Sequence, residues 1–258
     1  MRRPAPELPA AFLDRPIAHR GFHGAGRPEN SLSAVRAAVE AGYGIEIDLR
    51  ASHDGEAMVF HDASLERLTT ARGLVASQTA EALGEISLIG SADTIPTLGA
   101  VLDLVAGRAP LLIEIKDHDY TLGPNVGVTE AAVARALEGY AGPVAVMSFN
   151  PHSVSEMARL APDLPRGLIT CGFDAEAWPD LSPRVAARLR EIPDYDNLGA
   201  GFISHEANDL DRPRVAELQA QGAKVLCWTT RSPEEEEEAR RIADNVTFEG
   251  YLPGPAPA

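Results

Sequence analysis

Short apolar segments alternate along most of the chain with longer segments in which apolar residues recur every three or four positions. The first pattern predicts buried strands and the second amphipathic helices, and their alternation is typical of βα units around a parallel sheet. The predicted strands are 17–20, 44–49, 57–61, 111–116, 144–148, 166–170, 201–204, 225–229 and 245–248. The main predicted helices are 32–41, 98–106, 129–138, 153–160, 184–191, 212–221 and 233–243.

Eight strand–helix units in about 250 residues are the usual size of a TIM barrel, and no linker-like segment divides the chain. We therefore predict an α/β fold, one distorted (β/α)8 barrel domain over residues 1–258, with flexible tails at 1–12 and 253–258. Nine strands are one too many, and the link from residue 49 to residue 57 is too short for a crossover helix. Either these two strands form a distorted or antiparallel pair, or a terminal strand is incomplete. The irregular segment 63–96, after the third strand, is expected to be a lid or an excursion at the barrel rim.

The strand at 44–49 carries acids where a buried strand should be apolar. Its odd-numbered residues are aliphatic, whereas Glu46 and Asp48 point to the opposite face, and Glu114 and Lys116 alternate in the same way in strand 111–116. The C-terminal ends of barrel strands surround one mouth, so we expect the three carboxylates to converge there. Three oxygen ligands without cysteine suit a hard divalent cation, Mg²⁺ or Ca²⁺. For each acid taken alone, the alternative is an internal ion pair with an arginine or with Lys116.

Two of the seven histidines, His19 and His61, stand at the ends of predicted strands. Because an imidazole has an ordinary pKa near 6.5, such a pair can accept and donate a proton in one reaction near neutral pH. The other five histidines are expected to be hydrogen-bonded structural residues. The guanidinium group of Arg20 is planar and permanently charged, which suits bidentate phosphate binding, and the ammonium group of Lys116 can add a second positive charge. A metal, two imidazoles and two cations together indicate phosphoryl chemistry.

Composition excludes several kinds of partner. A net charge of −15 argues against nucleic acid and against anionic membranes. No segment approaches the roughly 18 apolar residues of a membrane helix, and prolines follow the charged N-terminus where a signal peptide would be apolar. We therefore expect a cytoplasmic protein without a stable membrane anchor that acts on a small molecule. The two cysteines, Cys171 and Cys227, are too few for a disulfide framework and are expected to be buried free thiols.

The polar positions form an ordered series of short motifs. They are His19-Arg20-Gly21, Pro28-Glu29-Asn30-Ser31, Glu46-x-Asp48, Asp54-Gly55, His61-Asp62, Leu65-x-Arg67, Ile95-Pro96-Thr97-Leu98, Glu114-x-Lys116, Ser148-Phe149-Asn150 and Trp228-Thr229. Their order and spacing, over residues 17 to 230, resemble the glycerophosphodiester phosphodiesterase family. The resemblance implies a distorted TIM barrel that uses a divalent metal to hydrolyse glycerophosphodiesters to an alcohol and glycerol 3-phosphate.

The resemblance also implies roles for individual residues. The implied metal ligands are Glu46, Asp48 and Glu114, the acid–base pair is His19 and His61, the phosphate is held by Arg20 and Lys116, and Trp228 walls the glycerol pocket. Glu29 would support the first loop, although a role as the acid at a helix N-terminus is an equal alternative. For Trp228, a position in the hydrophobic core is an equal alternative to the pocket wall. The chain departs from the family pattern at 230–231 and 247–253. Both departures are expected to lie away from the metal ligands and to affect the choice of alcohol.

Three other functions fit part of the sequence. A phosphodiesterase or lyase acting on another headgroup would leave a cyclic phosphate. A glycoside hydrolase would use Glu46 and Glu114 as its paired carboxylates, but it leaves the two histidines without a role. A non-catalytic barrel that binds a phosphorylated metabolite needs no proton-transfer pair. The order of acid and base, the attacking oxygen (water or a glycerol hydroxyl) and the oligomeric state are open at this level.

Overall fold

Eight parallel strands close into a barrel in a computed structural model that describes residues 6–253. The strands are β1 (Ile17–Ala18), β2 (Gly44–Ala51), β4 (Leu111–Ile115), β5 (Val144–Ser148), β6 (Arg166–Thr170), β7 (Phe202–Glu206), β8 (Lys224–Thr230) and β9 (Asn245–Phe248), with β3 (Ala57–Val59) outside the ring. The ring order is β1-β9-β8-β7-β6-β5-β4-β2, and a β1–β2 pairing closes it. The predicted barrel is confirmed.

The strand in excess of eight is β3, and it is accommodated because β2 pairs with two different strands along one edge. At its start β2 pairs with β1 in parallel, through Ile17 and Gly44, and at its end it pairs with β3 in antiparallel register, through Arg50 and Met58. Because β1 is only two residues long, the upper edge of β2 is left for β3. Of the two alternatives for the short link between residues 49 and 57, the antiparallel pair is therefore the one observed.

The helices cover the outside of the ring, and most begin and end where the sequence signals place them. They are α1 (Ala11–Asp14), α2 (Leu32–Ala41), α3 (Ala80–Gly84), α4 (Leu98–Val105), α5 (Val128–Ala136), α6 (Pro151–Leu160), α7 (Pro183–Arg190), α8 (Tyr195–Leu198), α9 (Pro213–Ala220) and α10 (Pro233–Ala239). Asn150 caps α6 by accepting a hydrogen bond from the His152 amide, and Gly42 ends α2 in the left-handed conformation. The short helices α1, α3 and α8 were not predicted, since four or five residues carry too little periodicity.

The N-terminal segment fills the lower end of the barrel. Leu8 and Phe12 are buried in one cluster with interior side chains of the strands, including Leu112 and Leu226. The Asn245 side chain at the start of β9 donates hydrogen bonds to the carbonyls of residues 12 and 15, at 2.7 and 2.6 Å. The prediction of a flexible tail over residues 1–12 is wrong for its described part, because these apolar side chains close the barrel floor. Residues 1–5 and 254–258, which belong to the two predicted tails, lie outside the described residues.

The irregular segment after β3 has a small core of its own. It contains α3 and a 3-10 turn (Val75–Ser77), and its buried side chains are Met58, Phe60, Leu65, Val75, Leu83, Leu88 and Ile95. This cluster anchors the segment on β3 at the barrel rim, where it carries His61 and Arg67. Within residues 6–253, no helix is long and apolar enough to cross a membrane. The cytoplasmic location stays a prediction. Both cysteines are buried and free, as expected.

Candidate active site

The three acids predicted as metal ligands lie together on two neighbouring strands. Asp48 on β2 and Glu114 on β4 are register partners, and Glu46 is two residues away on the same face. All three are buried, and each offers an oxygen atom within 4.8 Å of the others. Glu46 Oε1 has no hydrogen-bond partner in the described part of the chain, and Asp48 Oδ1 contacts only the Lys116 ammonium there. Since a buried carboxylate oxygen without a partner costs free energy, this all-oxygen donor set fits a hard divalent cation.

Two cationic side chains lie beside the acids and neutralise part of their negative charge. Lys116 Nζ lies 2.7 Å from Glu114 Oε1 and 3.1 Å from Asp48 Oδ1, and Arg20 Nε lies 3.3 Å from Asp48 Oδ2. Burial alone would raise the pKa of Asp48, but the charges of Lys116, His61 and Arg20 outweigh it and hold that pKa far below its ordinary value. Burial and the charges of Asp48 and Glu114 raise the pKa of Glu46 well above its ordinary value. The ion pairs considered as an alternative are present, but they leave Glu46 Oε1 unpaired.

The loop between β1 and α2 holds Arg20 in a strained backbone conformation. Arg20 and Asn30 both have left-handed φ angles, 52° and 59°, which non-glycine residues rarely adopt. The Arg20 amide donates to Glu46 Oε2 at 2.8 Å, and the Asn30 side chain donates to Asp48 Oδ2 at 2.8 Å. Gly21 follows at φ 75°, where an added Cβ would lie 3.0 Å from the Ala34 backbone. Strain of this kind persists only where surrounding contacts enforce it, and here those contacts are with the acids.

His19 is bonded to a carboxylate that comes from the far end of the chain. Its Nδ1 lies 2.6 Å from Glu249 Oε2, and Arg231 Nε donates to Glu249 Oε1 at 2.8 Å. A carboxylate only accepts, so Nδ1 of His19 carries the proton and Nε2 is left for a ligand. Burial lowers the pKa of His19, whereas the hydrogen bond from His19 lowers the pKa of Glu249.

His61 has the same arrangement with partners that are close in sequence. Its Nδ1 lies 2.6 Å from Asp62 Oδ1, Arg67 Nε donates to Asp62 Oδ2 at 2.5 Å, and Arg67 also donates twice to Glu29. Glu29 in turn accepts from Arg20 at 2.8 Å, which matches the support expected of it. Burial alone would raise the pKa of Asp62, but hydrogen bonds from His61 and Arg67 lower it. Because β3 is antiparallel, His61 reaches the site from beside β2, not from the upper end of a ring strand as predicted.

One cavity of about 140 Å³ joins these groups at the barrel mouth. Seven of the eight predicted site residues border it, namely His19, Arg20, Glu46, His61, Glu114, Lys116 and Trp228, and the eighth, Asp48, is buried beside them. The Trp228 ring packs edge-to-face on Phe149, with 5.4 Å between centroids, and its Nε1 donates to the Ser204 carbonyl at 3.1 Å. Trp228 is therefore both packed and in contact with the cavity.

Several partners of the site residues were not assigned a role from sequence. Asp62 and Arg67 belong to the motifs His61-Asp62 and Leu65-x-Arg67, so the sequence indicated that these residues matter but not which hydrogen bonds they make. Glu249 and Arg231 belong to the two departing segments, which were expected to lie away from the metal ligands. The structure corrects that expectation: Arg231 borders the same cavity as the acids, and Glu249 is hydrogen-bonded to His19.

A match to a known family decides between the possible chemistries. The model of the Glycerophosphoryl diester phosphodiesterase family matches residues 19–246. This chain belongs to that family. The resemblance drawn from the order of the motifs is confirmed, the chain is an enzyme of the phosphodiesterase class, and the glycoside hydrolase alternative is not supported.

Individual relatives match most of the length of this chain. The glycerophosphodiester phosphodiesterase of Caldanaerobacter subterraneus subsp. tengcongensis is 34% identical over 236 residues, which cover 86% of this chain and 87% of that protein. A phosphodiesterase of Oleispira antarctica, solved in complex with the product sn-glycerol-3-phosphate, aligns with a TM-score of 0.74 at 25% identity and covers 92% of this chain and 94% of its own. The glycerophosphodiester phosphodiesterase of Thermotoga maritima shares the fold, with a TM-score of 0.69 at 23% identity over 91% of this chain and 94% of its own.

Proposed function

We propose that this protein hydrolyses glycerophosphodiesters to an alcohol and glycerol 3-phosphate in the cavity between His19 and His61. One observation carries the proposal: two imidazoles, each with a carboxylate on Nδ1, border the same cavity as two cations and two acids of the buried three-acid cluster. The activity named for the Caldanaerobacter relative and the product bound by the Oleispira enzyme support the choice of substrate.

The acid cluster would hold the metal that the family resemblance implies, Mg²⁺ or Ca²⁺. The residues that would bind it are Glu46, Asp48 and Glu114, and the unpaired Oε1 of Glu46 supports this role. A bound divalent cation supplies charge stabilisation to the nonbridging oxygens of a phosphate.

Arg20 and Lys116 would hold the phosphate between them. Burial alone would lower the pKa of each, but the charge of Asp48, with that of Glu29 for Arg20 and Glu114 for Lys116, raises both pKa values. Both side chains are therefore cationic at neutral pH. Glu29 fixes one edge of the Arg20 guanidinium, which pre-orients it toward the cavity. On the other side of the cavity, Phe149 and Trp228 would form the wall against the glycerol carbons.

The two histidines would move the protons of an in-line displacement. The bond from phosphorus to the leaving alcohol breaks as the bond to the attacking oxygen forms. One imidazole takes the proton of the nucleophile, and the other gives a proton to the leaving alkoxide. We assign the base to His19, because burial lowers its pKa and favours the neutral, accepting form. His61 is then the acid.

Turnover of glycerophosphocholine by the full chain tests the proposal, with glycerol 3-phosphate as the measured product and Mg²⁺ or Ca²⁺ supplied. Replacing His61 with Ala should lower kcat by about 10² to 10⁴, the usual contribution of a general acid or base. The matched control is His152→Ala, since His152 is exposed on α6. Equal turnover by folded His61→Ala and His152→Ala proteins would contradict the role of His61.

Two further readouts separate the remaining alternatives. EDTA should abolish turnover, and full activity in EDTA would remove the metal from the proposal. Phosphorus NMR of the product distinguishes a phosphomonoester from a cyclic phosphate, and a stable cyclic product would mean that a glycerol hydroxyl attacks. Tight binding of glycerol 3-phosphate without any turnover would instead support a binding barrel.

A further inference from the structure

A second cavity, of about 310 Å³, lies at the barrel rim between the end of β2, the 3-10 turn at Val75–Ser77 and the segment from residue 116 to α5. We call it the outer cavity. Its size is at the lower end of the range for small-molecule pockets, about 300–1,000 Å³. Much of its wall is apolar and is formed by Ala63, Leu74, Val75, Ala76, Val126 and Val128. Leu74 and Val128 are 55% and 64% exposed, which is unusual for aliphatic side chains that face one cavity.

The outer cavity adjoins the catalytic cavity. Lys116, which we assign to the phosphate, borders both cavities, so the two cavities are neighbours at this side chain. Arg50 also borders the outer cavity, and its Nε donates to the His61 carbonyl at 2.7 Å. A ligand group that extends from the phosphate past Lys116 therefore enters the outer cavity, while His61, the proposed acid for the leaving alcohol, borders the catalytic cavity.

Barrel topology gives the direction of the two ester arms. In the ring order β1-β9-β8-β7-β6-β5-β4-β2, three strands separate β8 from β4 on either path, so these strands lie opposite each other. Trp228 on β8 walls the proposed glycerol side, and Lys116 directly follows β4. A phosphodiester with its glycerol arm against Trp228 thus has its second arm on the side of the outer cavity.

The wall of the outer cavity suits an uncharged arm. Its described lining contains the imidazoles of His53 and His118 but no Phe, Tyr or Trp, the rings that usually hold a quaternary ammonium. Arg50 and Lys116 give this wall two positive charges, and its two acids already accept hydrogen bonds from other groups of the protein. Asp117 accepts from the Asn150 side chain at 2.7 Å and from the Leu122 amide at 3.1 Å, and Glu130 accepts from the Gly127 amide at 2.6 Å.

We propose that the outer cavity binds the leaving-alcohol arm of the substrate and selects an uncharged, apolar alcohol over a cationic headgroup. The inference rests on the proposed hydrolysis of glycerophosphodiesters and adds the substrate class. Its physical basis is that an apolar arm gains from burial against the aliphatic wall, whereas a cationic arm loses hydration without gaining a Phe, Tyr or Trp ring or a free carboxylate.

The test compares two substrates that differ in one atom of the arm. One is glycerophosphocholine, and the other is its 3,3-dimethylbutanol analogue, in which carbon replaces the quaternary nitrogen. We expect kcat/KM to be about tenfold or more higher for the neutral analogue. Equal rates, or a preference for choline, would overturn the inference while leaving the proposed function intact. Failure to hydrolyse either substrate would overturn the proposed function and, with it, the inference.

A pair of matched variants localises the preference. Ala76 is exposed and borders the outer cavity, so Ala76→Trp should fill the cavity without disturbing the core. We expect this variant to lose most of the preference for the neutral analogue. Ala216→Trp, at an exposed position on α9, should keep it. A preference that survives in folded Ala76→Trp protein would show that the arm binds elsewhere.

Discussion

Glu249 Oε2 lies 2.6 Å from His19 Nδ1, although 230 positions separate the two residues in sequence. Closure of the ring brings them together, since β1 pairs with β9 and the His19 amide donates to the Phe248 carbonyl at 3.0 Å. The hydrogen bond fixes the tautomer of His19 and leaves Nε2 for the cavity. Asp62 does the same for His61. Each imidazole therefore has its own orienting carboxylate, and each carboxylate is held by an arginine, Arg231 or Arg67.

Replacing Glu249 with Gln should lower kcat by about 10² to 10⁴ and change KM little. A glutamine amide in place of the carboxylate can donate toward Nδ1, which selects the wrong tautomer of His19. Steady-state kinetics measures the effect. Glu234→Gln, at an exposed position in the first turn of α10, is the control. Wild-type kcat in folded Glu249→Gln protein would show that this hydrogen bond does not orient the base.

Replacing Arg67 with Ala should lower kcat/KM by about tenfold or more with little change in thermal stability. Arg67 joins Asp62 to Glu29, and so connects the orientation of His61 to that of Arg20. Its side chain is 46% exposed, and ion pairs at such positions contribute little to stability, about 0–1 kcal/mol. Arg36→Ala, exposed on α2, is the matched control. A large fall in Tm with unchanged kcat/KM would reverse the interpretation.

Replacing Glu46 with Gln should abolish the stabilisation of the protein by divalent cations without destabilising the metal-free form. Burial and neighbouring acids raise the pKa of Glu46, so a neutral amide relieves like-charge repulsion at this position. Thermal melts with and without Mg²⁺ or Ca²⁺ measure both effects. Glu40→Gln, exposed on α2, should keep the wild-type response to metal. A metal-induced rise in Tm that persists in Glu46→Gln would exclude Glu46 as a ligand.

The free energy of unfolding should fall as the pH drops below about 6.5, the ordinary pKa of histidine, and His205 should contribute to this fall. His205 is fully buried on β7, where its ring contacts Thr170 and Asp209, and burial lowers its pKa. The unfolded chain therefore binds a proton at a higher pH than the folded chain, so stability is lost as the pH falls through this window. The free energy of unfolding, measured in urea at pH 5.5 and at pH 7.5, should differ less between the two pH values in His205→Gln than in the wild type. In the control variant His152→Gln this difference should equal that of the wild type.

The local geometry of the acid cluster could be predicted because it depends on the period of a strand. Successive side chains of a strand alternate, so Glu46 and Asp48 had to share a face, and parallel strands in one barrel had to present their upper ends together. The α6 cap at Asn150 and the end of α2 at Gly42 were predictable for the same reason, since each depends on the conformational preference of a few adjacent residues.

The contacts between distant segments could not be read in this way. The sequence left the antiparallel pairing of β3 with β2 as one of two alternatives, and it did not reveal that Phe12 fills the barrel floor or that Glu249 faces His19. Each of these depends on which edges remain free after the ring has closed, and on which side chains fit the volume that is left. The sequence by itself determined the periodicity, the strand and helix positions and the chemical types at the mouth, because backbone geometry sets these locally. Only the tertiary structure decided which carboxylate orients His19, because closure of the ring brings Glu249 within hydrogen-bond distance of it.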